Sequence, residues 1–135
     1  MPHIVILYTG NLEAQADMGT LCRRLADTLL TVRDEDSRQV FPTGGVRVFA
    51  YPARHFAVAD GQRDYAFVYL NLRMGRGRSA AVKKHTGEVL LTAAKAHLDR
   101  LFTERYVGIT LQIDEGQEVF DAKHSSIHPL FAKVP

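Results

Sequence analysis

Residues 64–80 have the sequence Asp-Tyr-Ala-Phe-Val-Tyr-Leu-Asn-Leu-Arg-Met-Gly-Arg-Gly-Arg-Ser-Ala, and this stretch decides the fold. As far as Met74, small or aliphatic side chains alternate with aromatic or polar ones, which predicts a strand with two different faces. Gly75–Arg78 is a glycine-rich break, and Ser79 is a suitable N-cap for a helix that follows. The stretch therefore predicts a strand, a tight loop and a helix in direct succession.

The second half of the chain continues this order with the helix itself and another strand. Residues 80 to about 105 place apolar side chains close to one face of a helix. Four apolar residues then alternate with smaller or polar ones, as in a half-buried strand; they are Val107, Ile109, Leu111 and Ile113. The region from residue 64 to residue 114 thus predicts one β-α-β unit.

The first half of the chain shows the same order of elements. Strands are predicted at residues 3–8 and 46–51, and Pro52 is expected to end the second one. The helix between them is predicted to start at about Leu12, with Asn11 as its N-cap. Because a helix of this length between two strands makes a parallel pair, each half is expected to contribute two parallel strands.

Side by side, the two units predict a two-layer α+β fold in a single domain spanning residues 1–135. Tandem β-α-β units would form a four-stranded mixed sheet with both helices on one face. The other face would then be uncovered, although it carries aromatic side chains that are poorly suited to water. These are Phe49, Tyr51, Tyr65, Phe67 and Tyr69. We expect the protein to bury this face by self-association.

Composition argues against several classes of protein. A formal net charge of +2 over 135 residues is far from the strong positive charge of a dedicated nucleic-acid binder, so no nucleic-acid partner is expected. No segment approaches the length of a membrane span and no signal-peptide pattern is present, which favours a cytoplasmic protein without a membrane partner. Cys22 is the only cysteine, which excludes an internal disulfide and agrees with a reducing compartment.

Three residues are candidates for chemistry. Removal of Met1 would leave Pro2 as a secondary amine, and an apolar pocket would lower the pKa of that amine below the usual value of about 8. Such an amine could act as a general base near neutral pH. Arg47, on a predicted strand, and Arg78, where the glycine-rich loop opens a helix, could bind carboxylates. Each also has an ordinary explanation: a start residue, an ion-paired strand residue and a solvated loop charge.

No metal or cofactor site is predicted. His124 and His128 are four residues apart, but no third ligand is evident. The glycine-rich loop matches neither the P-loop nor the dinucleotide-binding pattern. A small basic cluster is interpreted as a solvated edge with a local role in anion binding, because no aromatic residues interleave it. Its members are Arg73, Arg76, Arg78, Lys83 and Lys84.

Three segments together resemble the 5-carboxymethyl-2-hydroxymuconate isomerase family of the tautomerase superfamily. They are Met1–His3, Phe41–Arg47 and Ala59–Phe67, the last of which continues through the strand to the loop Gly75–Ser79. The sequence Ala-Asp-Gly-Gln at the start of the third segment, combined with that loop, is the most specific part. The segment His128–Phe131 is a weaker likeness.

This resemblance implies a homotrimer with active sites between subunits and sheets that face a central barrel. It implies cofactor-free keto-enol tautomerisation of an unsaturated polycarboxylate, so the expected partner is a small-molecule carboxylate. By the same resemblance, Pro2 is the general acid and base, and Arg47 and Arg78 bind carboxylates. The chain departs from the family pattern at Phe49, where a second arginine is expected, and in a longer loop at 31–40.

Two other functions stay open. A dehalogenase-like relative with the same fold would activate water against an unsaturated acid, and it would need a carboxylate near Pro2 to position that water. A trimeric binding protein would bind small acids without turnover. A retained Met1 would favour the binding protein, because the Pro2 nitrogen would then be an amide and could not act as a base.

Overall fold

The computed structural model describes residues 2–131, and its strands form one mixed sheet with the order β2-β1-β3-β4. The strands are β1 (His3–Thr9), β2 (Arg47–Ala53), β3 (Tyr65–Met74) and β4 (Tyr106–Glu115). β1 pairs with β2 and β3 with β4 in parallel, and the two pairs meet where β1 and β3 run antiparallel. The main helices are α1 (Met18–Thr31), between β1 and β2, and α2 (Ala80–Glu104), between β3 and β4.

One face of the sheet and the apolar sides of both helices form a single core. Ala66, Val68, Leu70, Leu72 and Met74 alternate along β3 and are all buried. The buried leucines of α1 and α2 belong to the same cluster of side chains. The predicted α+β fold, with two helices on one face of a four-stranded mixed sheet, is confirmed.

The start of the first helix differs from the prediction. α1 begins at Met18, and its N-cap is Asp17, whose carboxylate accepts from the Thr20 amide at 3.4 Å. Asn11, the predicted cap, instead donates its side-chain amide to Asp64 at 3.0 Å and to the Tyr65 carbonyl at 2.8 Å. The prediction was wrong because this side chain has long-range partners at the start of β3, which local patterning does not show.

Pro52 does not end the second strand. β2 continues to Ala53, and Pro52 lies opposite Tyr8 in the parallel register. Because β2 is an edge strand, one side of its backbone has no neighbouring strand to receive an N–H, and a proline is tolerated there. The prediction was wrong because the sequence alone did not show that β2 lies at the edge of the sheet.

The face of the sheet away from the helices, here called the outer face, is apolar and exposed in the single chain. Leu7, Phe49, Tyr51 and Phe67 are between 39% and 52% exposed. The Phe67 ring lies over Gly108 on β4, where an added Cβ would come within 2.4 Å of it.

None of the helices in residues 2–131 is long and apolar enough to cross a membrane.

Candidate active site

The register of the sheet places Pro2 at one edge beside two arginines. His3 lies opposite Arg47 on β2 and opposite Arg73 on β3. Pro2, directly before His3, is buried. It therefore lies where β2 begins and β3 ends, an edge that we call the Pro2 edge.

Arg47, His3 and Arg73 form a row across three adjacent strands on the outer face. Residues directly opposite one another in a sheet project to the same face, and Arg73 alternates with the buried residues of β3. We call this row, named for its two arginines, the cationic row. The Arg47 guanidinium donates to the Gly45 carbonyl at 2.9 Å, and within residues 2–131 it has no ion-pair partner.

A cavity of about 240 Å³ lies against this row. His3, Arg47 and Arg73 line it from the sheet, and Glu118 and Asp121 line it from the segment after β4. Glu118 lies 3.8 Å from the Arg73 guanidinium, a loose ion pair in which both side chains are nearly half exposed. Lys123 also lines the cavity and pairs with Asp121. The cavity is thus lined by three cations, Arg47, Arg73 and Lys123, and by two carboxylates. This excess of positive charge favours an anionic ligand.

Arg78 contacts both the loop that precedes α2 and the segment before β2. Its guanidinium donates to the carbonyls of Gly75 at 3.0 Å and Val40 at 3.4 Å, and it lies over the Phe41 ring at 4.9 Å. Burial lowers the pKa of Arg78, and the nearby Glu115 carboxylate opposes that shift. The loop then passes directly into α2, which Ser79 caps by accepting from the Val82 amide.

The structure brings Pro2 and Arg47 to one edge and places Arg78 in neighbouring clefts. Arg78 lines one cleft of about 820 Å³, with Lys83 and Glu115, and another of about 490 Å³, with Glu35 and Ser79. Arg47 lines neither of these clefts. Gly75 joins the two regions, because it lines the cavity beside Arg47 while its carbonyl accepts from Arg78.

Three residues at the Pro2 edge were not singled out from the sequence as site residues: His3, Arg73 and Glu118. Arg73 had appeared only as a member of a basic cluster. The signal that would have found it is the antiparallel register of β1 and β3, which aligns Arg73 with His3. That register depends on contacts between residues about 70 positions apart, and alternation within one strand does not reveal it.

Of the two histidines in the C-terminal segment, His128 packs against the turn before β2. His128 lies so close to Gly44 that a Cβ on the glycine would come within 2.6 Å of the His128 Cα. No group of three or more histidine, cysteine, aspartate or glutamate side chains in residues 2–131 could hold a metal ion.

Comparisons with known proteins identify the family of this chain. A family model described as 5-carboxymethyl-2-hydroxymuconate isomerase matches residues 2–131. The 5-carboxymethyl-2-hydroxymuconate Delta-isomerase of Escherichia coli is 30% identical over 131 residues, which cover 97% of this chain and 99% of that protein. A crystal structure of a 5-carboxymethyl-2-hydroxymuconate delta-isomerase is 57% identical, with a TM-score of 0.95 over 100% of this chain and 95% of that one.

Two further solved structures extend the likeness. A 5-carboxymethyl-2-hydroxymuconate isomerase from Deinococcus radiodurans R1 is 34% identical, with a TM-score of 0.87 over 98% of this chain and 95% of that one. A fused 4-OT, described as a symmetric trimer, shares the fold at 16% identity and a TM-score of 0.59, covering 96% of each chain. The resemblance inferred from the sequence is confirmed. The chain belongs to the 5-carboxymethyl-2-hydroxymuconate isomerase family, and it is an isomerase.

Proposed function

We propose that this isomerase converts 5-carboxymethyl-2-hydroxymuconate into its 2-oxo tautomer without a cofactor, with Pro2 as general base and acid. The observation that carries the proposal is the buried Pro2 at a sheet edge beside Arg47, which has no ion-pair partner within residues 2–131. Relatives at 30%, 34% and 57% identity carry the name of this activity, which supports the choice of substrate.

The proposed reaction moves one proton from oxygen to carbon. Met1 lies outside the described residues, and its removal would free the Pro2 nitrogen as a secondary amine. Burial disfavours the charged form of that amine, which keeps it available as a base. The nitrogen takes the proton of the C2 hydroxyl, C2=O forms, and the C2=C3 bond moves to C3=C4. As C3=C4 forms, the electrons of C4=C5 take the same proton from the Pro2 ammonium at C5, so that C4 keeps four bonds and no oxidant, reductant or co-reactant is needed.

The two arginines have separate roles in this proposal. Arg47 and Arg78 bind substrate carboxylates through guanidinium groups, and their positive charge stabilises the negative charge that develops on the C2 oxygen. Because they line different cavities of one chain, a complete site is expected to combine Arg47 of one subunit with Arg78 of another. The exposed apolar outer face and the trimeric assembly of the fused 4-OT support a homotrimer that would bring them together.

The first test is the state of the N-terminus. Intact mass of the active protein should lack Met1, and exposure to a 3-halopropynoic acid should add one adduct that maps to Pro2. We expect Pro2→Ala to lower kcat by about a hundredfold or more, the usual contribution of a general base. Pro52→Ala, at the opposite end of β2, is the matched control and should keep wild-type activity. Retention of Met1 in fully active protein would contradict the mechanism.

A further inference from the structure

The cationic row presents two arginines on the same face of the sheet, one on each side of β1. Arg47 and Arg73 are both in register with His3, so they are two strands apart. Since neighbouring strands are about 4.8 Å apart, the Cα atoms of the two arginines are separated by about 10 Å. Side chains as long as arginine can converge from both strands on one ligand above β1. The geometry suits a ligand end that carries two anionic groups close together.

The proposed substrate has one end of this kind. Its C5 atom carries the C6 carboxylate directly and a second carboxylate through one methylene, which is the arrangement found in succinate. The opposite end carries one carboxylate, at C1, beside the C2 hydroxyl. A site that matches the charge of this compound would place two cations at the C5 end and one at the C1 end. The cationic row offers the pair. Arg78 lines a separate cleft together with Arg76 and Lys83. There Lys83 is paired with Glu115 at 3.0 Å and Arg76 donates to the Gly116 carbonyl at 3.1 Å, so Arg78 is the guanidinium that we assign to the C1 carboxylate.

We propose that Arg73 is a specificity-determining residue that acts with Arg47 to bind the succinate-like C5 end of the substrate and so selects the carboxymethyl arm. This inference rests on the proposed function. In this arrangement the C5 end lies over the cationic row, beside the buried Pro2. The proposed return of the proton from the Pro2 nitrogen to C5 requires these two atoms to be close together. Arg78 of another subunit then binds the C1 carboxylate.

Glu118 is the ion-pair partner of Arg73 within residues 2–131. The separation of 3.8 Å and the exposure of both side chains make this ion pair weak. A substrate carboxylate can replace Glu118 as a bidentate partner, and the exchange leaves no cation unpaired. Two variants therefore separate the roles of this pair. Arg73→Gln removes the cation, whereas Glu118→Gln removes the ion pair and leaves the cation in place.

The experiment compares two substrates on each variant. We expect Arg73→Gln to lower kcat/KM for 5-carboxymethyl-2-hydroxymuconate by about tenfold to a hundredfold, because a charge-assisted contact is lost. On 2-hydroxymuconate, which lacks the carboxymethyl arm, the same variant should change little. Arg73→Lys should recover part of the preference, and Glu118→Gln should keep or increase it. Arg54→Gln, an exposed arginine beyond the far end of β2, is the matched control.

Succinate provides a measurement that does not depend on turnover. It should bind the wild-type protein more tightly than acetate does in calorimetric titration, and Arg73→Gln should remove that difference. Equal losses on both substrates in Arg73→Gln and Glu118→Gln would show that the ion pair is merely structural and would overturn the inference. If the wild-type protein turns over neither muconate, the proposed function fails. Succinate binding then decides the role of Arg73 alone, and equal binding by wild type and Arg73→Gln would refute it.

Discussion

The arginines of the candidate site differ in how the chain accommodates their charge. Arg78 is held by two carbonyl groups and an aromatic ring, so its guanidinium is oriented before any ligand arrives. Arg47 donates to one carbonyl, and Arg73 has one loose partner in Glu118. Because carbonyl groups leave the positive charge uncompensated, a carboxylate can bind Arg47 or Arg78 without first breaking an ion pair.

Tyr8 makes the stability of the fold depend on pH. Its side chain is buried on the helix-facing side of β1, and its hydroxyl donates to the Glu13 carboxylate. Burial, together with this carboxylate, raises the pKa of Tyr8 to about 12. Since the folded protein holds the proton more tightly than the unfolded chain, Tyr8 contributes stability that is complete below about pH 10 and is lost as the pH rises towards 12.

We therefore expect the free energy of unfolding of the wild type to fall more steeply between pH 10 and pH 12 than that of Tyr8→Phe. Urea denaturation at several pH values measures this difference. Identical slopes for Tyr8→Phe and wild type would show that Tyr8 does not hold its proton more tightly in the folded protein than in the unfolded chain.

Among the secondary-structure elements, short segments position the site. The turn Thr43–Gly45 precedes β2 and packs against the turn His128–Phe131, with Gly44 leaving room for His128. The Arg76 side chain donates to the Gly116 carbonyl at 3.1 Å, and the Gly116 amide donates to the Met74 carbonyl at 2.9 Å. These contacts hold the segment after β4 close to the Pro2 edge, so that Glu118 can reach Arg73.

The start of α2 gives a test at this level. The Ser79 hydroxyl accepts from the Val82 amide at 3.2 Å and donates to the Glu35 carboxylate at 2.7 Å, which joins the loop at 31–40 to the helix. We expect Ser79→Ala to lower the free energy of unfolding by about 1 kcal/mol, measured by urea denaturation. Ser79→Thr should restore most of the loss, because threonine also caps helices. A wild-type free energy for Ser79→Ala would contradict the role of this cap.

For the molecule as a whole, the two faces of the sheet differ in burial. The helix-facing side is buried within one chain, whereas the outer face exposes Leu7, Phe49, Tyr51 and Phe67. A contiguous apolar surface of this kind is typical of an interface between protein chains. Assembly through this face would also enclose the cationic row, which lies on the same side of the sheet.

Charges on the outer face should therefore separate the subunits without unfolding them. We expect Phe49→Glu combined with Phe67→Glu to give a smaller particle in light scattering, with a circular dichroism spectrum like that of the wild type. Isomerase activity should fall with the assembly, since the proposed site is shared between subunits. Leu91→Glu, at an exposed position on α2, is the control and should keep the assembly. If Leu91→Glu gave the smaller particle and the double variant did not, the interface would lie on the helices instead.

Local interactions made much of this fold predictable. The alternation of β3, the glycine-rich loop and the Ser79 cap involve residues within a few positions of one another, so patterning alone predicts them. The same reasoning failed at Asn11 and Pro52, whose behaviour depends on distant partners and on the position of β2 at the sheet edge. The single domain over residues 1–135, the cytoplasmic location and the roles of Pro2, Arg47 and Arg78 stay predictions.

The sequence of this protein determined its elements, its apolar faces and, through the likeness of three segments, its family. Only the tertiary structure aligned Arg47, His3 and Arg73 across three strands and placed Arg78 in a separate cleft. The physical reason is the range of the interactions. A helix or a strand arises from neighbours along the chain, whereas the pairing of β1 with β3 is selected by the burial of one complete face of the sheet, and that depends on all four strands together.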